Sequence, residues 1–585
     1  MDTDFRVAGT NENAPFSLTI HRGDGMLLLA MDWKVGRPPA DFAGFAIQYR
    51  EPDKDFFKNV RNRIGFPGQV VPASGIKTVD APIQKFRWVH FPFNADLEGK
   101  FRYRITAMFM GPDGTLKEGE AQEAELALMR ETIPGKLNVA FTRGFVSSQA
   151  FVRNFAAGGP LISLVPPFGD EGLEFVPTHA EPERAYAWMG FEARKETLAL
   201  LDQAKDAGAE VRVIAYDMNL PEVLERLEAL GTKLKIIIDD SARTKGHGRP
   251  DSPETKAAER LKLTAGASNV KRQHMSNLQH QKSIAVRGGG LESVVYGSTN
   301  LSWRGLFVQS NNSFVVHGTK AVDDYFDAFE TYFTAKNGGA FRKSASSANW
   351  FDLGLEGIDA KVAFSPHNDE HGKLEEIAAD IDAAQSSVFF SLAFLGQMTK
   401  GPIGPALGRA LERPNVHVMG IADGRIREGN LGLDVLTPDN KRRLVRPEAL
   451  TRDVPPPFST EPSGLSGIDG KGRGTRMHHK FVVVDFDRPT ACVYLGSYNF
   501  SEPADDENGE NLVVIRDRTV ATSYMIEALR MYDHYIFRVA TSGSHGEPKP
   551  LELKLPPEPG KAAWFDRDWT DPVRTRDRVL FSSTG

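Results

Sequence analysis

His280-Gln-Lys282-Ser-Ile-Ala-Val-Arg287 is followed closely by Tyr296-Gly297-Ser298-Thr-Asn300-Leu-Ser302. The same pattern returns as His478-His-Lys480-Phe-Val-Val-Val-Asp485 and then Leu495-Gly496-Ser497-Tyr-Asn499-Phe-Ser501. Each copy joins a His and a Lys two residues apart to an apolar run and then to Gly-Ser-x-Asn. His280 precedes Asn300 by 20 residues, and His478 precedes Asn499 by 21. The apolar runs, Ile284 to Val286 and Phe481 to Val484, predict buried strands. Residues i and i+2 of a strand share a face, so each His projects beside its Lys. Burying such a pair without a partner is costly. The partner suited to two imidazoles, two ammoniums and two carboxamides is a phosphate.

These motifs resemble the signature of the phospholipase D superfamily, H-x-K-x4-D followed by G-S-x-N. The second copy matches throughout, with Asp485 at the acidic position, whereas the first departs there and carries Arg287. One H-x-K alone says little, since chance supplies it often. Two copies with matched Gly-Ser-x-Asn turns are a strong signal. The resemblance implies that His280, Lys282, Asn300, His478, Lys480 and Asn499 are catalytic, with Ser298, Ser497 and Asp485 in support.

A third element follows each turn: Gln309-Ser-Asn311-Asn-Ser-Phe-Val-Val316 in the first copy and Asn508-Gly-Glu510-Asn-Leu-Val-Val-Ile515 in the second. Aligning the apolar ends sets Asn311 opposite Glu510, each 11 residues after the Asn of its turn. In families of this kind the downstream acid orients the His of the opposite lobe. Carried over, Glu510 would hold His280 and Asn311 would hold His478. A carboxylate suits a nucleophilic imidazole and an amide suits the acid/base partner, which makes His280 the expected nucleophile. The tyrosyl-DNA phosphodiesterases are similar in having an amide in the first half and no Asp in H-x-K.

Composition frames this without deciding it. The chain has 585 residues, 41% hydrophobic and 25% charged, which suits a soluble globular protein of two to four domains. Its net charge of −6 gives no global attraction to nucleic acid or an anionic membrane. The single cysteine, Cys492, excludes an internal disulfide and reads as a small core residue. No apolar run is long enough to cross a bilayer, and Met1-Asp-Thr-Asp-Phe-Arg6 does not read as a secretory signal, so a cytoplasmic monomer is expected.

Residues 1–130 read as an all-β sandwich of fibronectin type III or immunoglobulin-like type, with Tyr103-Arg-Ile-Thr-Ala107 in its penultimate strand and Trp33 between the sheets. From residue 131 strands and helices alternate, and the order repeats. Val139-Ala-Phe-Thr142 is echoed by Val362-Ala-Phe-Ser365, and Glu210 to Tyr216 by Val388 to Phe394. The expectation is an α/β fold (mixed α+β) with two phospholipase D-like lobes, 131–350 and 351–540, each a helix-covered sheet. Leu161-Ile-Ser-Leu-Val165 reads as a strand fragment, Glu181 to Ala207 as a helix, and 541–585 as a tail packing on the lobes. The stretch 423–476 is loop-like, with basic residues from Lys441 to Arg446 and Lys471 to Arg476 that could guide an anion. Asp505-Asp506-Glu507 reads as a solvated acidic turn.

The resemblance implies a metal-independent hydrolase without cofactor that cleaves, or transphosphatidylates, a phospholipid phosphodiester through a phosphohistidine. One imidazole attacks and the other protonates the leaving oxygen, while lysines and asparagines hold the non-bridging oxygens. The sequence carries no H-E-x-x-H, no C-x-x-C and no P-loop. Two other readings stay open: a nuclease or nucleic-acid end-processing phosphodiesterase of the same superfamily, and a degenerate phosphate-binding protein in which Arg287 marks decay.

Overall fold

Antiparallel strands alternate inward and outward along the N-terminal region because their apolar residues recur at every second position. In strand Lys100–Met110, for example, Phe101, Tyr103, Ile105 and Ala107 are buried. A computed structural model of the chain describes residues 5–583 apart from 93, 129–130, 145–147, 243, 245, 423–443, 446–476 and 542–550. It comprises two compact units, Met1–Thr132 with Thr522–Gly585, and Ile133–Ala521.

The first unit contains two four-stranded antiparallel sheets that share one core. One sheet orders Arg6–Ala8, Phe16–Arg22, Leu27–Trp33 and Arg87–His90. The other orders Leu116–Ala127, Lys100–Met110, Phe42–Arg50 and Lys58–Asn59. Trp33 is half-buried at the margin of this core, against Phe42, because Phe16, Phe42 and Phe45 already fill its centre. The expectation for the tail needs correction, since it packs into the β-sandwich. Phe565 is buried in the sandwich core, Trp564 donates its indole N–H to the Phe42 carbonyl, and Arg578 pairs with Asp32. Burying a phenylalanine contributes about 1.5–3 kcal/mol, and the tail's apolar residues gain this only where a core already exists.

The second unit runs from Ile133 to Ala521, ending before the expected boundary at 540. It holds a seven-stranded and an eight-stranded sheet built to one plan. The first orders Leu137–Phe141, Asn312–His317, Leu291–Gly297, Lys282–Gly288, Glu210–Ala215, Leu234–Ile238 and Val270–Arg272. The second adds the edge strand Phe351–Asp352 and then orders Asp359–Ser365, Glu510–Arg516, Cys492–Gly496, Lys480–Val484, Ser387–Leu392, His417–Ala422 and Leu444–Val445. The registers correspond too, with Gly297 opposite Ser313 and Gly496 opposite Leu512. The fold class is therefore α/β, with two lobes built to one plan as expected.

Local readings differ at several points. Leu161–Leu164 is a short 3-10 helix rather than a strand fragment. Helix Pro182–Ala207 is broken at Phe191 (φ 43°), whose ring lies under the Arg143 guanidinium, 3.7 Å from the ring centre. Asp505 is buried rather than solvated and accepts the backbone N–H of Lys373. The basic stretch from 423 to 476 lies outside the described residues apart from Leu444–Val445. Among the described residues no helix is long and apolar enough to cross a membrane.

Candidate active site

Each His-Lys pair sits where a central strand enters its sheet, at Lys282–Gly288 in one lobe and Lys480–Val484 in the other. The glycine of each Gly-Ser-x-Asn turn has a backbone that ordinary residues rarely adopt (φ 139° at Gly297, 140° at Gly496). A side chain there would also collide with a carbonyl of the adjacent strand, at 2.3 Å from Asn312 O and 2.2 Å from Asn511 O. The serine after it then accepts a backbone N–H from that strand: Asn312 N to Ser298 Oγ, 3.1 Å, and Asn511 N to Ser497 Oγ, 3.0 Å. These bonds fix the residue just before, Asn311 or Glu510.

The two lobes exchange backbone hydrogen bonds across the site. His280 N–H donates to Gly509 O and His478 N–H to Ser310 O, both at 2.9 Å. Each histidine is thereby tied beside the residue that precedes the other lobe's Glu510 or Asn311. Glu510 lies against His280, with both carboxylate oxygens on Nδ1 at 2.8 and 2.9 Å. Asn311 Oδ1 lies 2.9 Å from His478 Nδ1. The amide is oriented unambiguously: its NH2 donates to the Gly305 carbonyl, and Ser298 Oγ donates to its oxygen. His478 Nδ1 also faces the Ser298 carbonyl at 3.2 Å, so it must carry a proton. In both rings, then, a neutral imidazole carries its proton on Nδ1 and its lone pair on Nε2.

Lys282 and Lys480 are almost wholly buried. Desolvation pushes the Lys282 ammonium down to about 7 against the pull of Glu510 and Asp217. Desolvation and the charge of Lys282 hold Lys480 well below the ordinary lysine range. Burial lowers His280 to about 4 although Glu510 opposes it, and burial with the charges of Lys480 and Lys282 holds His478 well below its ordinary value. Asn300 and Asn499 are buried, and neither amide is hydrogen-bonded to another described residue. Each lobe adds an aromatic wall: Tyr216 lies 4.7 Å from the His280 ring with Lys282 Nζ 4.6 Å over it, and Phe394 lies 6.0 Å from the His478 ring with Lys480 Nζ 5.6 Å over it.

Asp485, expected in support, belongs elsewhere. It caps a turn behind the sheet, accepting the backbone N–H of Gln385, Ser386 and Ser387 and the Thr490 hydroxyl. Asp485 directly follows strand Lys480–Val484 with a left-handed backbone (φ 52°), at the end of the strand away from Lys480. Arg287, its counterpart, pairs with Glu210 and Asp323 at half-exposed positions. The departure at that position therefore leaves the His-Lys-Asn group unaltered.

Residues with no legible motif complete the first lobe. Asp239 accepts the backbone N–H of Gln279, next to His280, at 2.7 Å. Asp217 takes a two-pronged bond from Arg304 at 2.8 and 3.1 Å. Among the described residues Asp217, His247 and Glu254 are the group whose ligand atoms lie close enough for a metal ion. His247 is already engaged through Nδ1 with Asp239 (2.9 Å) and through Nε2 with Asp217 (3.1 Å). Although burial opposes its charge, Glu254, Asp217 and Asp239 raise it to about 10. A metal ion at this group would have to displace a proton from His247. Both aromatic walls follow the ends of equivalent strands, Glu210–Ala215 and Ser387–Leu392, although Phe394 lies one residue further along than Tyr216; nothing comparable marks His247.

A family model described as "Cardiolipin synthase, PLD-like domain" matches residues 188–333 and again 377–532. Among solved structures, phosphatidylserine synthase of Haemophilus influenzae Rd KW20 is 13% identical, with 67% of this chain and 93% of that chain covered and a TM-score of 0.41. Nuc of Salmonella typhimurium, a phospholipase D family member, is 20% identical over 30% of this chain and 95% of its own, with a TM-score of 0.18. Polyphosphate kinase of Porphyromonas gingivalis is 12% identical over 61% of this chain (TM-score 0.36), and this chain spans about half of its length, 52%. Comparison with the curated proteins returned no match. The two family-model matches each contain one His-Lys pair and its Gly-Ser-x-Asn turn, together they cover just over half of the chain, and the protein belongs to the phospholipase D superfamily.

Proposed function

We propose that this protein is a metal-independent phosphodiesterase of the phospholipase D type. It cleaves a phospholipid phosphodiester, or passes the phosphatidyl group to an alcohol, through a phosphohistidine on His280. The observation that carries this reading is a buried cluster of groups suited to an anion. Two buried lysines, two imidazoles with their protons on Nδ1 and two unengaged amides face a site in which Glu510 contacts His280. A phosphodiester anion supplies the charge these groups lack. Lys282, Lys480, Asn300 and Asn499 hold its non-bridging oxygens, giving the charge stabilisation that other enzymes draw from a metal.

His280 Nε2 attacks phosphorus, and His478 protonates the leaving oxygen and then activates water or an alcohol. Glu510 stabilises the positive charge that His280 gains on phosphorylation. The protein would work as a monomer, with no cofactor.

Two tests address this reading. Purified protein is assayed against phosphatidyl lipid vesicles, bis(4-nitrophenyl) phosphate and single-stranded DNA. Cleavage of lipid is the expected result. Cleavage of DNA alone would move the protein to the nuclease reading, and binding without turnover to the phosphate-binding one. In the second test, Glu510→Gln retains an acceptor for Nδ1–H but loses the charge. Phosphohistidine formation in a rapid-quench burst slows by about 10- to 100-fold, the range seen on removing the partner of a metal-bound histidine. An unchanged burst rate would detach Glu510 from His280 chemistry.

A further inference from the structure

The two histidines differ in what touches Nε2, the nitrogen that does the chemistry. Lys480 Nζ lies 3.1 Å from His478 Nε2 and also donates to the His478 carbonyl at 3.0 Å. Lys282 Nζ donates to the His280 carbonyl and faces the Tyr216 ring, and among the described residues no donor reaches His280 Nε2. The first arrangement leaves a lone pair free for attack. The second leaves a problem, because an acid needs a proton where His478 has only a lone pair. Asn311 and the Ser298 carbonyl hold the one ring proton on Nδ1, and an amide does little to stabilise a second.

We infer that Lys480 is the proton source for His478, so that this lysine and histidine act together as the acid of the leaving step. The inference rests on the phosphodiesterase reading above. A bound diester, being anionic, favours the protonated form of both groups. As its leaving oxygen takes the place of Nζ beside Nε2, the lysine releases a proton to the ring. The bond from His280 Nε2 to phosphorus forms, the bond from phosphorus to the leaving oxygen breaks, and that oxygen takes the proton from His478. Lys480 is left as a neutral amine. In the second half a water oxygen attacks phosphorus and its proton passes to His478 and back to Lys480, while the phosphorus–nitrogen bond breaks and restores His280. Atoms, charge and protons balance with no further reactant. The charged groups acting on Lys480 are Lys282 and Arg304, which oppose its proton, and Glu510 and Asp217, which favour it.

The test compares Lys480→Arg with Lys282→Arg on two diesters that differ only in leaving group, a simple alkoxide and 4-nitrophenolate. Arginine keeps the positive charge but does not give up its proton. Because 4-nitrophenolate departs without protonation, Lys480→Arg should lose at least about 10²-fold on the alkyl diester, the scale of a general-acid contribution, and less than about tenfold on the aryl one. Retained aryl cleavage also shows that the variant folds. Lys282→Arg should lose equally on both, as a pure oxygen-binding change would. Equal loss by Lys480→Arg on the two substrates, or full alkyl activity, overturns the role of Lys480 alone. If wild-type protein cleaves neither diester, the phosphodiesterase reading itself fails and takes this role with it.

Discussion

His280→Ala and His478→Ala should each lower diester turnover by at least about 10²-fold, since attack and leaving-group protonation each need an imidazole. The loss must be separated from damage to the fold. Removing His280 strands the Glu510 carboxylate, which is fully buried and whose other hydrogen bond among the described residues is a long one (3.3 Å) from the Asn508 amide. A stranded buried acceptor costs about 1–3 kcal/mol, more when charged, against a total stability of about 5–15 kcal/mol for a typical protein. The variant should therefore fold with a lowered melting temperature. His478→Ala strands only a neutral amide that Ser298 and Gly305 still satisfy, so its melting temperature should fall less. Melting curves for the two variants beside their rates would show this order. EDTA should leave wild-type turnover unchanged. Inhibition by EDTA that a divalent ion reverses would sink the metal-independent reading.

The covalent step is open to direct trapping. Supplied with a 4-nitrophenyl diester, His478→Asn should complete the first half-reaction, because that leaving group departs without an acid. It should then stall, because no imidazole activates the water. Protein quenched in denaturant should carry a base-stable, acid-labile phosphoryl group on the peptide containing His280, close to one per chain. Mass spectrometry of that digest decides the assignment. A phosphoryl group on the His478 peptide in the His280→Asn variant, with none on His280 here, would exchange the roles of the two lobes. The physical basis for His280 is its two-oxygen contact with Glu510, since a carboxylate stabilises the charged phosphohistidine and the Asn311 amide does not.

Much of this protein is legible along the chain because the relevant forces are local. Period-two alternation places His280 beside Lys282 and His478 beside Lys480. The close approach behind Gly297 and Gly496 demands glycine, and the repeat of the whole motif announces the duplicated sheets. Where a residue's role depends on distant partners, the chain alone was a poorer guide. Asp485 reads as part of the motif, yet it caps backbone groups 98 to 100 residues away on the side away from the histidines. The C-terminal aromatics read as a docking tail without a destination, and only the sandwich core around Phe42 and Phe86 explains where they go.

The candidate reacting groups could be named from the chain alone: two histidines, two lysines and two asparagines on strands and turns that present them together. What the fold adds is the further surroundings of each group, such as Lys480 beside His478 Nε2 and Tyr216 beside Lys282. His280 and Glu510 are 230 residues apart, and His478 and Asn311 are 167 apart. Whether a ring's free nitrogen meets a lysine depends on how the two sheets dock. That docking is held by backbone bonds from His280 to Gly509 and from His478 to Ser310, which any residue type can make and no sequence pattern marks.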